Sequence, residues 1–381
     1  MRTNLTPPKD FEEGTPAITM QNKILVILCV CILAAILTAG LWPFHAPKNQ
    51  VSWLSDGAGL HFGVHGLILS ADSSSLAGLQ DGTSCSIEMW MKPDFSDISG
   101  TILAFYIPEN RNVAFSVHQS IDDLFLRHIN VGAQNRTKNK FYIEHAFRNN
   151  TQVFVTITAN PQGTTVYING VLVRTSPRFG LSSKDLAGQI VVGNYPLVDN
   201  GWQGQVMGLA IYDRDLTAAQ VSQHYDRWMA NRQAQIRDEA PAALYLFHEG
   251  MGTIVHEQMN SGGNLHIPEH YFVLHAPFLR WPWDEFDPSW SYVKNVLINI
   301  GGFVPLGLFF CAYFSSVRRF KRAVLATIVL GGLISLTIEV LQAYLPTRDS
   351  GMTDIITNTL GTGIGAALWS GKSLVRLRQR F

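Results

Sequence analysis

Two otherwise apolar stretches between residues 337 and 365 carry hydrogen-bonding side chains that can support chemistry at membrane depth. Glu339 and Gln342 are three residues apart, and Asp354 and Asn358 are four apart, so each pair lies on one helix face. Ionisable groups inside a membrane are costly and usually have a function or a partner. A carboxylate at this depth can act as a general base, pair with an arginine or hydrogen-bond across helices.

Other polar residues join this group if the surrounding stretches are membrane helices. We define the polar membrane cluster as Asn295, Asn299, Glu339, Gln342, Arg348, Asp349, Asp354 and Asn358. One interpretation is structural, since amides bond across helices and the small residues Gly361 and Gly365 permit close helix approach. The other is a polar pocket, with Arg348 beside a carboxylate, that accepts a lipid headgroup or an amphipathic ligand.

The elements that position these residues follow from the distribution of apolar side chains. The chain has 381 residues, 46% hydrophobic and 15% charged, and the apolar ones are clustered. A helix needs about 20 apolar residues to cross a bilayer. Four stretches are therefore predicted to span the membrane: 24–42, 296–314, 323–345 and 354–369, of which the last is rich in glycine and threonine.

Basic residues beside these spans predict their orientation. Lys23 precedes the first span, and two further groups lie between spans two and three and after span four: Arg318, Arg319, Lys321 and Arg322, and Lys372, Arg376, Arg378 and Arg380. Positive charge collects on the cytoplasmic side. Both termini are predicted to be cytoplasmic, and segments 43–292 and 346–353 to lie outside, in the inner membrane of a bacterium. The polar membrane cluster then occupies the outer half of the bilayer.

The first span has a second interpretation, a secretory signal with small residues at 38–40. The apolar run of this span is longer than the core of a usual signal peptide. If the span were cleaved off, only three spans would remain and one basic group would lie on the outer side, so an uncleaved anchor is favoured. Of the four cysteines, Cys29, Cys31, Cys85 and Cys311, only Cys85 falls in the outer segment. A disulfide within the outer domain is therefore excluded.

Short alternating runs between residues 51 and 212 predict an all-β antiparallel sandwich. Asn169 and Gly170 separate two such runs and predict a type I′ hairpin. Thr217 and Gln220 have capping-box spacing, which predicts a helix that continues to about Ile236.

A resemblance supports the sandwich: the segments IEMWMKP (87–93), VYING (166–170), WQGQV (202–206) and IYDRDL (211–216) are similar to the concanavalin A-like, laminin-G-like jelly roll. The segment ALYLFHEGMG (243–252) resembles the opening strand of such domains, yet it follows the last one. The sandwich is therefore predicted to be permuted, with the late strand completing it; the alternative is a linker strand.

Binding is the task that the sandwich residues favour. Retaining glycosidases need two carboxylates about 5 Å apart, and Glu88 stands alone on its strand. Asp122, Asp123 and Asp199 are weak candidates for calcium, which needs six or more oxygens, so no cofactor is predicted apart from this candidate. His61, His65, His118, His128 and His145 lack metal-ligand spacing. P-loop, dinucleotide and nucleic-acid signatures are absent from the sequence, and no nucleic-acid partner is expected.

The membrane part has its own resemblance. Segments 299–307 (NIGGFVPLG), 339–342 (EVLQ), 348–350 (RDS) and 354–361 (DIITNTLG) are similar to the VanZ-like membrane family. This resemblance implies that the span 24–42 is the family's first helix and that the sandwich is an insertion after it. Before the second span, Trp281, Trp283 and Trp290 predict an interfacial belt, with a sugar-stacking platform as the alternative.

These features predict seven segments: a cytoplasmic tail (1–22), the first transmembrane helix (23–43), the sandwich with its C-terminal helix (51–238), the late strand (242–268), an aromatic connector (278–293), the VanZ-like helices (294–371) and a basic tail (372–381). The predicted function is an inner-membrane protein whose outer domain binds an envelope ligand. Expected partners are membrane lipid and a glycan, peptidoglycan or lipid-linked ligand. Two alternatives remain open: a membrane-interface enzyme using Glu339 or Asp354 with Arg348, and a structural adhesion module.

Overall fold

The computed structural model describes residues 20–71, 76, 79, 82–129, 138–148, 150–230, 232–259, 263–318 and 321–378. Contacts divide it into a helical unit (Met1–Trp42, Leu279–Gln342 and Ser350–Phe381) and a sandwich unit (Pro43–Phe278 and Ala343–Asp349). Predictions for residues 1–19, Arg319 and Arg380 lie outside the described residues, as do the side chains of Lys372, Arg376 and Arg378.

The sandwich unit contains two antiparallel sheets, which confirms the predicted architecture. The first sheet has the order β1 (Val51–Trp53), β2 (Leu60–Phe62), β13 (Gly204–Tyr212), β4 (Cys85–Pro93), β9 (Val153–Asn160), β10 (Gly163–Ile168) and β11 (Val171–Ser176). The second has the order β15 (Ile254–Val255), β16 (Leu265–His266), β3 (Ile68–Ser70), β12 (Gln189–Val192), β5 (Ser99–Ile107), β6 (Asn112–Ser120), β7 (Asp123–Ile129) and β8 (Lys138–Ile143).

The core lies between the two sheets and follows the period of two that strands impose. Ile87 and Met89 of β4 and Phe105 of β5 point inward and are almost completely buried. Each such side chain contributes about 1.5–3 kcal/mol through the area it removes from water. The predicted hairpin is also confirmed: Ile168 pairs with Val171, and the two turn residues between them have positive φ, 51° and 78°.

The late segment joins both sheets. Strand β14 (Ala243–Tyr245) pairs with Leu209–Ile211 in the second half of β13, whereas β2 pairs with its first half. In the other sheet, β16 pairs with β3 and β15 pairs with β16, so the late residues form the outer edge.

One helix covers part of the first sheet. Helix α2 (Ala218–Met229) begins at a capping box in which Thr217 and Gln220 exchange side-chain and backbone hydrogen bonds, as the sequence predicts. Its apolar side, including Val221 and Trp228, packs in a cluster with Tyr212 of β13. The α-helix ends at Met229, and a 3-10 helix (Gln233–Glu239) follows, so the predicted continuous helix to Ile236 is too long.

The helical unit contains α1 (Met20–Leu41), a short α3 (Pro282–Glu285), α4 (Trp290–Ser316), α5 (Ala323–Gln342) and α6 (Met352–Arg378). Within the described residues, three helical segments are long and apolar enough to cross a membrane: Asn22–Leu41, Trp290–Ser316 and Ala323–Gln342. The prediction of four spans is therefore not confirmed. The difference lies in α6, whose glycine, threonine and other polar residues reduce its hydropathy.

Helices α4 and α6 make the most extensive contact in the helical unit. Glycines occupy the contact: a Cβ atom at Gly361 would meet the backbone of Ile300, and one at Gly365 would meet the backbone of Val304. From the opposite side, a Cβ at Gly307 would meet the backbone of α6. The two backbones approach closely only because these residues have no side chain.

Candidate functional site

The outer face of strands β6, β7 and β8 carries the most distinctive group of side chains in the sandwich. His118 of β6 pairs with Phe125 of β7, and Phe125 pairs with Tyr142 of β8. Paired residues point to the same side of a sheet, so these three rings form one line across the strands. We call this line the aromatic row. Residues between them along the strands, such as Leu124 and Leu126, point into the core.

The rings of the aromatic row contact each other in sequence. His118 and Phe125 are stacked with centroids 4.5 Å apart, and Phe125 and Tyr142 with centroids 5.3 Å apart. On the side of His118 away from Phe125, the ring centroid of Tyr195 lies 6.0 Å from that of His118. Exposure increases toward the edge of the sheet: His118 is buried, Phe125 is half-buried and Tyr142 is 38% exposed. The row therefore presents ring surface to solvent at its β8 end.

His118 is held in place by hydroxyl groups on both of its ring nitrogens. Nδ1 lies 3.0 Å from Thr101 Oγ1, and Nε2 lies 2.7 Å from Ser116 Oγ. Burial lowers the pKa of His118 to about 3, and the positive charges of Arg127 and Lys140 act in the same direction. The imidazole is therefore neutral in ordinary conditions and serves as a fixed ring at the inner end of the aromatic row.

Two cations lie beside the aromatic row. Arg127 and Lys140 pair across β7 and β8, two residues beyond Phe125 and Tyr142, so they share the same outer face. Arg127 Cζ is 5.5 Å from the ring centroid of Tyr195, and Lys140 Nζ is 5.6 Å from that of Phe125. We call Arg127 and Lys140 the basic pair. Within the described part of the chain, neither forms an ion pair with a carboxylate.

A group of potential metal ligands lies at the other end of these strands. Ligand atoms of Asp122, Asp123 and His145 lie within 4.8 Å of one another. His145 Nδ1 is 2.6 Å from Asp122 Oδ2, and this hydrogen bond lowers the pKa of Asp122. The backbone N–H of His145 donates to Asp123 Oδ1. Two carboxylates and one imidazole provide fewer oxygens than calcium prefers.

The third calcium candidate, Asp199, lies in a different group. The hydroxyl of Tyr271 donates a 2.8 Å hydrogen bond to Asp199 Oδ1, and Asp199 Oδ2 is 3.7 Å from His65 Nδ1. Burial raises the pKa of the Tyr271 hydroxyl, and the Asp199 carboxylate acts in the same direction. Asp199 thus contacts Tyr271 and His65, and it does not belong to the group formed by Asp122, Asp123 and His145.

Glu88, the single carboxylate on β4, is completely buried. Its oxygens accept hydrogen bonds from His224 Nδ1 at 2.9 Å and from the hydroxyl of Tyr212 at 3.0 Å. On the far side of His224, Nε2 is 3.9 Å from Glu239 Oε2, too far for a hydrogen bond, and the other oxygen of Glu239, Oε1, accepts a 2.7 Å hydrogen bond from Arg227. This network joins the first sheet to α2. Because Glu88 is inaccessible to solvent, the network stabilises the fold and does not contact a substrate.

In the helical unit, members of the polar membrane cluster form separate hydrogen-bonded pairs. Asn299 Nδ2 donates to Asp354 Oδ1 at 2.7 Å, and the N–H of Gly351 donates to Glu339 Oε2 at 2.8 Å. Glu339 is almost completely buried. Each of these bonds joins α6 or the residue before it to another helix, so the carboxylates connect elements that are distant in sequence.

Two amides of the cluster make similar connections. Asn358 Nδ2 donates to Ser335 Oγ at 2.9 Å, and Gln342 Nε2 donates to the backbone oxygen of Gly40 at 2.8 Å. The other predicted members are not brought into these pairs: Asn295 is exposed, and Arg348 and Asp349 belong to the sandwich unit.

One participant was not predicted. Glu285, in the short helix α3, accepts a 3.0 Å hydrogen bond from the backbone N–H of Thr353 in the first turn of α6. A negative charge is favourable at a helix N-terminus, where backbone N–H groups have no intrahelical partner. The sequence places Glu285 among aromatic residues and gives no local sign of this long-range contact.

The aromatic row and the basic pair were also not predicted from the sequence. The signal was present as alternation, since Asp123, Phe125 and Arg127 occupy every second position of one strand, and Lys140 and Tyr142 do so in the next. The relative register of these strands was not predictable, because the connection between them, residues 130–137, is longer than the short turns that fix a hairpin register.

Comparisons with known proteins identify two domains. Residues 68–222 match the family model Laminin_G_3, described as the concanavalin A-like lectin/glucanases superfamily. Residues 221–376 match the family model VanZ/LLP1, a range that begins within α2, includes the late strands and does not include α1. A search of curated proteins found no match.

Solved structures similar to this chain include receptor-binding domains of botulinum neurotoxins. The type G domain has 18% identity and a TM-score of 0.30, over 39% of this chain and 38% of that chain. The serotype D binding domain has 19% identity and a TM-score of 0.31, over 39% and 36%. A serotype D ligand-binding domain in complex with N-acetylneuraminic acid has 17% identity and a TM-score of 0.34, over 47% and 45%. The chain spans less than half the length of each of these domains.

Proposed function

We propose that this chain, which joins a concanavalin A-like sandwich to a VanZ-like membrane region, binds a glycan of the cell envelope through the aromatic row. The row is the observation that carries the proposal. Sugar rings have flat apolar faces, and exposed aromatic rings provide matching surfaces with little loss of conformational freedom. The description of the matched family as lectins and glucanases agrees with a carbohydrate ligand.

The geometry of the row favours binding over a purely structural role. His118 is fixed by two hydroxyls, and Phe125 stacks on it at 4.5 Å, so the platform is ordered before a ligand arrives. A preorganised site loses less entropy on binding. The exposed part of the platform, Tyr142, lies on the edge strand, where a linear glycan can pass without entering a deep pocket.

We also propose that the sandwich lies outside the cytoplasmic membrane of a bacterium. Apolar helices and the VanZ-like region indicate a membrane protein. Lys23 lies in the first turn of α1, and Arg318, Lys321 and Arg322 lie between α4 and α5. Positive charge at these two places favours a cytoplasmic position for both of them and for both termini. The long segment between α1 and α4 is then extracytoplasmic.

The role proposed for the polar membrane cluster is to join the helices of the bundle. Its carboxylates and amides find partners on other elements, as between Asn299 and Asp354 and between Asn358 and Ser335. Hydrogen bonds of this kind stabilise helix association within a membrane. The expected lipid contact is the interfacial belt, in which the exposed rings of Trp281 and Trp283 stack at 4.9 Å. The bundle thus anchors the glycan-binding domain.

A glycan array with the full chain in lipid nanodiscs tests the proposal. We expect binding to a restricted set of envelope-type saccharides, and loss of that binding in Phe125→Ala and Tyr142→Ala. Tyr225→Ala is the matched control, because this ring lies against Phe154 of the first sheet, with centroids 6.0 Å apart, away from the row. A blank array with the wild-type protein, or equal binding by all variants at equal melting temperature, would contradict the proposal. Binding of a protein without any sugar would support the adhesion module instead.

A further inference from the structure

We infer that the ligand of the aromatic row is an anionic glycan, with its acidic substituent bound by Arg127 and Lys140. This inference rests on the proposed function and adds the charge class of the ligand. It is carried by a separate observation: the basic pair shares the outer face of β7 and β8 with the aromatic row, one step along the strands. Two residues of a strand span about 7 Å. The rings of Phe125 and Tyr142, which would contact a sugar ring, are thus about 7 Å along the strands from Arg127 and Lys140, which would bind its acidic group.

The basic pair needs a negative partner. Arg127 and Lys140 are directly opposite each other on neighbouring strands, an arrangement in which like charges destabilise a sheet. Among the described residues no carboxylate pairs with either cation. A carboxylate or phosphate from outside would remove the repulsion and accept charge-assisted hydrogen bonds from the guanidinium.

Aromatic rings hold the two cations in position. Arg127 lies over the ring of Tyr195, and Lys140 lies over the ring of Phe125. Cation–π contacts restrict the direction of each side chain without using its N–H groups as hydrogen-bond donors. The same ring of Phe125 thus contributes to the platform and to the position of the charge, which couples the two parts of the site.

The order of side chains along β7 sets the orientation of the ligand. Asp123, Phe125 and Arg127 occupy alternate positions of this strand and therefore the same face. Along the direction of β7, Asp122 and Asp123 place negative charge on one side of the row, and Arg127 places positive charge on the other side. An acidic glycan is repelled from the first side and attracted to the second. A neutral glycan would have no such preference.

The experiment compares three probes with the full chain in nanodiscs of neutral lipid. A hyaluronan oligosaccharide carries sugar rings and carboxylates, a chitin oligosaccharide of equal length carries rings alone, and a polyglycerol-phosphate chain carries anions alone. Wild-type protein is expected to bind hyaluronan about tenfold more tightly than either other probe. Lys140→Gln should reduce the affinity for hyaluronan about tenfold and leave that for chitin unchanged. Lys92→Gln, on the first sheet, is the matched control and should change neither.

Equal affinity of the wild type for hyaluronan and chitin would overturn the inference, and so would an equal loss of both in Lys140→Gln. In either case the proposed function would survive, because Phe125→Ala would still reduce binding of the neutral probe. Preference for polyglycerol phosphate over both sugars would also overturn it, since the anion alone would then suffice. Arg127→Met provides a second variant with a similar stem over Tyr195, so a folding defect in one variant leaves the test intact.

Discussion

The imidazole of His118 lies parallel to the ring of Phe125, with 4.5 Å between centroids and 5° between planes. Because hydroxyls bind both of its nitrogens, the imidazole has one orientation. A neutral ring in this place extends the aromatic surface inward, whereas a charged one would repel the nearby basic pair. The contact thus connects the protonation state of a buried group to the shape of the proposed binding platform.

Acid should destabilise the sandwich through His118. Its pKa is about 3 in the folded chain and about 6.5 in the unfolded chain, so the unfolded state binds one more proton between these values. The free energy of unfolding should therefore fall as pH is lowered from 6.5 toward 3, by up to about 1.4 kcal/mol per pH unit from this group. His118→Gln, which keeps a hydrogen-bonding side chain, should have a smaller slope. Denaturant titrations at several pH values measure it; identical slopes would refute the account.

Glu88→Gln should destabilise the sandwich unit by about 1–3 kcal/mol, because it removes the buried carboxylate that accepts hydrogen bonds from His224 and Tyr212 and leaves polar groups without matched partners. The control is Glu144→Gln, at an exposed position. A double-mutant cycle with His224→Gln should show coupling between the two residues. Thermal unfolding followed by tryptophan fluorescence is the measurement. A change in melting temperature no larger than that of the control would mean that the network does not stabilise the fold.

Gly361→Leu should disrupt the helical unit. A Cβ at this position already meets the backbone of Ile300, so a larger side chain must separate α4 from α6, at a cost of about 1–3 kcal/mol or more. Gly301→Leu is the matched control, since a Cβ there meets nothing within 4 Å. Resistance to proteolysis in detergent measures the difference. Equal resistance of the two variants would show that the helices do not need this close approach.

Asn299→Leu should weaken the bundle by about 0.6–2 kcal/mol, because Asp354 loses the amide that donates to it. Asn295→Leu, one turn earlier on the same helix and exposed, should have little effect. Thermal stability of the full chain in one detergent compares the two. If Asn299→Leu retained stability but abolished an envelope phenotype, the polar membrane cluster would bind a ligand or support chemistry, and its proposed structural role would be wrong.

Features fixed by neighbouring residues were predictable from the sequence. The hairpin at Asn169 and Gly170 and the capping box at Thr217 depend on backbone geometry within four residues, and both have the predicted form. The two matched domains were also predictable, because their motifs recur in a fixed order.

Features that depend on distant pairs were not predictable. Glu88 was correctly identified as a single carboxylate on its strand, but its partner His224 is 136 residues away. Phe125 and Tyr142 meet only because of the register between β7 and β8. The predicted count of four spans was not confirmed for a related reason. Helix α6 is long enough to cross a membrane, but the polar and glycine residues through which it contacts the other helices lower its hydropathy.

The account depends most directly on whether the aromatic row binds sugar. The decisive measurement is the dissociation constant of the best array saccharide for the full chain in nanodiscs, compared between wild type, Tyr142→Ala and the control Tyr225→Ala. The account predicts that Tyr142→Ala weakens binding roughly tenfold, on the order of 1.4 kcal/mol, while Tyr225→Ala matches the wild type. Equal dissociation constants for all three proteins, with each one folded, would contradict it.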